Sequence, residues 1–248
     1  MNGDFTAMRL DRFLCEMNLG TRSQVKKLIA QGQVSVNGRV AKKAEDKIDV
    51  TGDEVCFRGE VLVYKPYVYY MLNKPAGVVS ATRDNTAGTV VELLKPGDRR
   101  EDIFPAGRLD KDTEGFLLLT NDGALAHSLL SPKRHVDKTY RALLEHPLSE
   151  GSAGCLEAGV DIGEEKPTLP CKIEFLQENL ILLTIQEGKF HQVKRMLQAV
   201  GNRVLALKRV SFGGLTLDEG LAPGAYRELT EDEVKILYDT CDEARNAE

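Results

Sequence analysis

No apolar run in the 248-residue chain approaches the roughly 18 residues that a membrane helix requires. No membrane association is expected. Residues 1–14 are charged and carry no apolar h-region, so no secretory signal is expected either. The chain has no CxxC pair. Its five cysteines, Cys15, Cys56, Cys155, Cys171 and Cys241, are odd in number and scattered. That excludes a disulfide frame and a zinc knuckle and suits a reducing cytoplasm. No Walker loop, dinucleotide GxGxxG or metal-ligand cluster is present, so neither a metal nor a cofactor is expected. An excess of basic charge, the usual mark of a nucleic-acid binder, is also missing, since the formal net charge is −5.

The distribution of charge says more than its sum. Residues 187–209 hold six basic side chains and one acidic, a surplus of five, whereas residues 228–248 hold eight acidic and two basic. Much of the negative charge is therefore C-terminal, and a basic face remains available elsewhere. An apolar content of 42% and a charged content of 29% fit a globular protein with a sizeable core.

Residues 8–57 read as a small helix–helix–strand unit. Leu10, Phe13, Leu14 and Met17 recur at helical spacing, and Gly20 ends that helix. Thr21 and Gln24 form a capping box for a second helix that buries Val25, Leu28 and Ile29. Val34 to Val36 alternates as a strand, Asn37-Gly38 supplies a tight turn, and short strands follow at 48–50 and 55–57. Arg9, Arg12, Arg22, Lys26 and Lys27 lie off the apolar stripe. The stretch from Leu10 to Ala41, with its two basic helices and VSVNG, resembles the S4-type RNA-binding module. That resemblance implies a helical face laid on structured RNA, gripping phosphates by charge. The plainer reading is a helical cap whose basic residues are merely solvated.

Residues 58–66 read as a linker and 67–240 as a catalytic domain, with 241–248 an acidic tail. Strands are expected at 68–72, 116–120, 139–144, 180–185 and 204–210, and helices at 124–130, 190–200 and 231–239. Short strands with few crossover helices point to an α+β fold with a mostly antiparallel mixed sheet.

The chemistry concentrates in FPAGRLDKDTEGFLLLTNDG, residues 104–123. It is a polar loop between an apolar approach and an apolar strand, with Gly107 and Gly115 free to take positive φ. An acid on such a loop, beside Arg108, can project ionised into a cleft, although Asp- and Gly-rich loops are also ordinary turns. Asp122 reads as the N-cap of the helix at 124–130.

GRLDKDTEGFLLLTNDG closely resembles the central motif of the pseudouridine synthases, specifically the ribosomal branch that carries an N-terminal S4 module. The aspartate of GRLD, catalytic in that family, falls on Asp110. LNKPAG (72–77), KTYR (138–141) and EGKFHQVKRM (187–196) resemble further motifs of the family in the right order. The resemblance implies that Tyr140 lies against the target base and that Lys194 is the cationic partner of Asp110. Arg195, Lys208 and Arg209 are assigned to phosphate contact and Arg108 to RNA contact. Residues 72–77 read first as a structural strand and turn, with phosphate contact by Lys74 the second reading, and His191 is assigned to a structural hydrogen bond. The implied reaction breaks the N1–C1′ bond of uridine and re-forms it through C5. A carboxylate adds to C1′ or removes a neighbouring sugar proton, and either route needs an ionised acid near the sugar. The base must leave its stack to be reached.

EGKFHQVKRM and LAPGAYRELTEDEV are most similar to the small-subunit branch, which implies 16S ribosomal RNA, or a small-subunit ribonucleoprotein, as partner of a monomeric enzyme. The rival readings are the same reaction on 23S RNA, a non-catalytic ribosomal RNA-binding assembly factor, and a hydrolase using Asp110 and Asp112 as an acid pair.

Overall fold

A computed structural model describes residues 7–246, which form two compact units. The first comprises residues 7–66 together with Leu94–Glu101. It runs β1 (Ala7–Arg9), α1 (Leu10–Glu16), α2 (Arg22–Ala30), β2 (Val34–Val36), β3 (Arg39–Val40), β4 (Lys47–Asp49), β5 (Val55–Phe57) and β6 (Glu60–Val61). Most of the expected helical stripe is the core: Leu10, Phe13, Leu14, Val25 and Ile29 are buried with Val34, Ile48 and Val55, while Met17 and Leu28 are half-buried against it. The capping box closes in both directions, from Gln24 N–H to Thr21 Oγ1 and from Thr21 N–H to Gln24 Oε1. Asn37 and Gly38 both take positive φ, 52° and 74°, and turn β2 back onto β3.

Two features of this unit correct the sequence reading. Residues 58–66 are not a bare linker: β6 pairs with β5, and Tyr64 packs on Phe13 at 5.5 Å between centroids and donates to Glu16 at 2.6 Å. Residues 94–101, remote in sequence, belong to the unit through Arg100, which pairs with Glu16 at 3.4 Å and donates to the Lys65 carbonyl at 2.8 Å.

The second unit contains β7 (Tyr69–Lys74), β8 (Phe104–Pro105), β9 (Glu114–Thr120), α3 (Gly123–Leu130), β10 (Lys138–Leu144), α4 (Glu150–Ala158), β11 (Lys172–Gln177), β12 (Leu180–Ile185), α5 (Gln192–Ala199), β13 (Val204–Phe212), β14 (Leu215–Thr216), β15 (Tyr226–Glu228) and α6 (Glu231–Asn246). The sheet has nine strands in the order β11-β12-β10-β13-β9-β7-β15, with β14 on β13 and β8 on β9. Among the described strand pairs only β9 with β13 is parallel. The α+β expectation thus holds.

Strands β7 and β9 lie side by side inside the sheet and are buried on both faces, which is why Tyr70 to Leu72 and Phe116 to Leu119 read as apolar runs without alternation. One face carries Met71, Phe116, Leu118 and Phe212, covered by α3 and α6 through Leu125, Leu129 and Leu237. Phe116 meets Phe212 edge-on at 6.2 Å and 75°, a geometry worth roughly 0.5–1.5 kcal/mol beyond area burial. Asp122 caps α3 through Leu125 N–H at 2.9 Å and accepts the hydroxyls of Tyr69 and Tyr238, which ties β7, α3 and α6 together. The acidic tail expected at 241–248 is corrected as far as Asn246: α6 continues that far and buries Cys241 on its inner face, and the last two residues lie outside the described residues.

Candidate active site

The loop before β9 is held from below by β7 and the turn after it. Gly77 N–H donates to the Lys111 carbonyl at 2.7 Å, and the Ser80 hydroxyl accepts from Leu109 N–H at 3.0 Å and donates to its carbonyl at 2.9 Å. The side chain of Lys74 is fully buried and points its ammonium at four carbonyls: Thr113 at 2.8 Å, Pro75 and Asp110 at 3.0 Å, and Lys111 at 3.3 Å. Three N–H bonds serve that cage. Burial pushes the Lys74 ammonium down to about 8, against the pull of Asp112, Asp110 and Glu114. The assignment of Lys74 to phosphate is therefore corrected: it is a buried anchor for the loop and out of reach of a ligand.

Gly107 and Gly115 have φ of 90° and 103° as expected of glycine hinges. At Gly115 a second constraint applies, because a Cβ there would lie 2.2 Å from the Arg209 carbonyl oxygen across the parallel β9–β13 pairing.

The loop so held presents Asp110, whose side chain is 26% exposed. Helix α5 supplies its cation. Val193, Met196 and Leu197 face the core, which leaves Lys194 at the edge of the buried stripe. Its Nζ stands 3.1 Å from Asp110 Oδ2 and 2.6 Å from Asp112 Oδ1. Burial opposes the charge on Lys194, yet the hydrogen bonds it donates to Asp112 and Asp110 outweigh it and hold the ammonium above the ordinary lysine value. The Lys194 hydrogen bond holds Asp112 below the usual carboxylate range. His191, assigned by sequence to a structural role, places Nε2 3.6 Å from Asp110 Oδ1. Its φ of 49° turns the side chain there, a conformation no residue-type pattern announces.

Tyr140 alternates inward on β10 and is 8% exposed. It lines the same cleft as Asp110, Lys194, Arg108, Ile185 and Leu207. The structure thus brings the acid, the cation, the tyrosine and Arg108 together. Thr113 also lines the cleft, and its buried hydroxyl has no hydrogen-bond partner among the described residues.

The expected phosphate contacts separate. Arg209 is 2% exposed, donates from Nε to the Phe116 carbonyl at 2.8 Å and sits over the Phe212 ring, so it is corrected to a core residue. Arg195 is half-buried and engaged by protein groups: it pairs with Glu164 at 2.6 Å and donates to the carbonyls of Phe190 and Ile162. Lys208 is half-buried and Arg108 exposed. In the other unit Arg9 is engaged by Asp11 at 2.7 Å and Arg12 by Glu16 at 2.7 Å, while Arg22, Lys26 and Lys27 are exposed.

No group of three or more histidine, cysteine or acidic side chains among the described residues could hold a metal. No described helix is long and apolar enough to cross a membrane. Fold and site together define a class: a carboxylate-bearing α+β enzyme that carries a separate small basic module. Residues 8–55 match the S4 domain family and residues 68–199 the RNA pseudouridylate synthase family. Over 234 residues the chain is 50% identical to an uncharacterized RNA pseudouridine synthase of Bacillus subtilis, covering 93% of this chain and 98% of that protein. It is 43% identical to the ribosomal small subunit pseudouridine synthase A of Haemophilus influenzae, over 93% and 99% of the two chains. A crystal structure of a pseudouridylate synthase superposes with a TM-score of 0.65 at 40% identity, over 93% of this chain and 99% of that one. The chain belongs to the S4-bearing RNA pseudouridine synthases, enzymes that isomerise uridine in RNA.

Proposed function

We propose that this enzyme isomerises one uridine of 16S ribosomal RNA in the cytoplasm, with Asp110 as its catalytic carboxylate. The observation that carries the reading is the Asp110 carboxylate held 3.1 Å from the Lys194 ammonium in a cleft that Tyr140 also lines. The small-subunit substrate rests on relatives that bear that name at 42–43% identity over nearly their whole length.

The reaction asks little beyond this. The extruded uridine enters the cleft, with its base against Tyr140 and its sugar beside Asp110. The carboxylate, beside the Lys194 ammonium, adds to C1′ or takes a neighbouring sugar proton as the N1–C1′ bond breaks. Uracil stays enclosed, rotates and bonds to C1′ through C5. In the first route the Asp110–C1′ bond breaks as the C5–C1′ bond forms, and in the second the abstracted proton returns to the sugar, so the free carboxylate is restored. The C5 proton is released and N1 takes one up, so atoms and charge balance. Exclusion of water matters, because water at C1′ would yield free uracil instead.

Asp110→Asn tests the reading. It should abolish release of tritium from RNA labelled at uridine C5 while RNA affinity and melting temperature stay near wild type. Retention of activity within about tenfold of wild type, only ~1.4 kcal/mol of barrier, would remove Asp110 from the chemistry. Mapping pseudouridine in 16S and 23S RNA from cells lacking the gene tests the substrate, and a site lost from 23S alone would refute the small-subunit assignment.

A further inference from the structure

We propose that Phe190 is a stacking platform for the nucleobase next to the target uridine, a positioning residue for the reaction proposed above. Phe190 is 70% exposed although it is a phenylalanine beside the catalytic loop. Its ring lies on the His191 imidazole at 3.8 Å between centroids and 20° between planes. That imidazole stands 3.6 Å from the Asp110 carboxylate. The phenyl ring is thus the outer layer of a two-ring stack whose inner layer touches the candidate catalytic acid. Its other face has no ring partner among the described residues.

The ring is mounted on a rigid segment. Arg195 donates to the Phe190 carbonyl at 3.0 Å, and Lys189 N–H donates to Gln192 Oε1 at 2.9 Å. The Lys189 ammonium reaches the carbonyls of Lys166 at 2.9 Å and Pro167 at 3.0 Å. Gln192 itself is buried and donates to Glu187 at 2.8 Å. A flat apolar surface held this firmly gives up little conformational freedom when a ligand covers it.

The ligand's chemistry follows from position. Lys189 and His191 line the cleft but Phe190 does not, so the ring stands at the rim, outside the space for the extruded uridine. Extrusion strips the neighbouring bases of a stacking partner. Every base has a π-face, and an aromatic side chain that takes one up strengthens binding by roughly 5- to 150-fold without selecting sequence. Phe190 would replace the stacking that the neighbouring base gives up.

The test uses the full chain and a small-subunit RNA fragment spanning the mapped uridine, with 2-aminopurine placed on its 5′ or its 3′ side. Wild-type enzyme should quench one of the two probes on binding. Phe190→Ala should abolish that quenching and raise KM for the RNA by about tenfold. Phe190→Tyr should restore both. Phe190→Leu, apolar but without a π-face, should behave as the alanine variant. Undiminished quenching in the alanine variant, or full restoration by leucine, would overturn the proposal in favour of an idle or merely apolar residue. Tritium release by wild-type enzyme on the same RNA separates the two readings. Its absence would refute the function proposed above, whereas its presence with an indifferent Phe190 would refute this inference alone.

Discussion

The Lys194 ammonium lies 3.1 Å from the Asp110 carboxylate but makes its shorter contact, 2.6 Å, with Asp112. One cation is thus divided between an acid within the cleft and a neighbour whose side chain is 75% exposed. Removing Lys194 should therefore act on chemistry more than on affinity. In Lys194→Gln, kcat should fall by about a hundredfold or more, the scale of one electrostatic partner in a site, while the dissociation constant for RNA changes little. Asp112→Asn should stay near wild type, because it frees Lys194 for Asp110. Weakened affinity with normal turnover at saturating RNA in the Lys194 variant would move this lysine from the site to the RNA-gripping surface.

Lys74 carries a different prediction. Lys74→Met leaves several buried carbonyls unpaired, each costing ~1–3 kcal/mol, so melting temperature and activity should fall together. In the wild-type protein the lysine should also set an alkaline limit. Its folded value of about 8 lies below the ordinary 10.5. Between those values the folded chain gives up a proton that the unfolded chain keeps, so this group's contribution to stability rises with pH. The neutral amine has one hydrogen fewer for the four carbonyls, and the loop loosens. Activity should decline above about pH 8 with no parallel loss of global stability. A pH–rate profile flat to pH 10, measured beside melting curves, would refute this role.

Gly115 is constrained twice, by a φ of 103° and by the Arg209 carbonyl 2.2 Å from where a Cβ would stand. Positive φ alone costs a side chain ~1–3 kcal/mol. Gly115→Ala must in addition push β13 away from β9, so denaturant unfolding should show a loss above about 3 kcal/mol. A variant within about 1 kcal/mol of wild type would mean that the β9–β13 pairing yields easily.

The S4 unit and the buried arginine should part company in salt titrations. Replacing Arg22, Lys26 and Lys27 by glutamine should flatten the log–log salt slope of RNA binding by about 0.7–0.9 for each phosphate no longer neutralised, with melting unchanged. Arg209→Gln should do the reverse, lowering the melting temperature and leaving the slope alone, because its guanidinium is 2% exposed. An unchanged slope in the triple variant would leave those charges as a solvated face.

Much of this protein is determined locally and so is legible in its sequence. The capping box at Thr21 with Gln24, the Asp122 cap and the Asn37-Gly38 turn are agreements between nearby residues, and all of them form. Strand β12 matches its expected bounds because Leu180 to Ile185 is long and apolar enough to override its neighbours. Strand β11 is illegible because it is an exposed edge, with no buried face to impose a pattern on Lys172 to Gln177. Helix α4 escapes notice because it has little apolar periodicity beyond Ala153 and Leu156.

The ordered motifs determined the family and marked Asp110, Tyr140 and Lys194. What a charged side chain does once marked was decided by tertiary structure alone. Lys74, Arg195 and Arg209 read from sequence like any surface cation, yet one closes a cage of carbonyls, one is taken by Glu164 and two carbonyls, and one donates to the Phe116 carbonyl over the Phe212 ring. Burial and partner are properties of the whole packed chain, and a lysine or arginine carries no local sign of which carbonyl or ring will meet it. His191 joined the acid for the same reason, through a positive φ imposed by the turn into α5 rather than by its own preference.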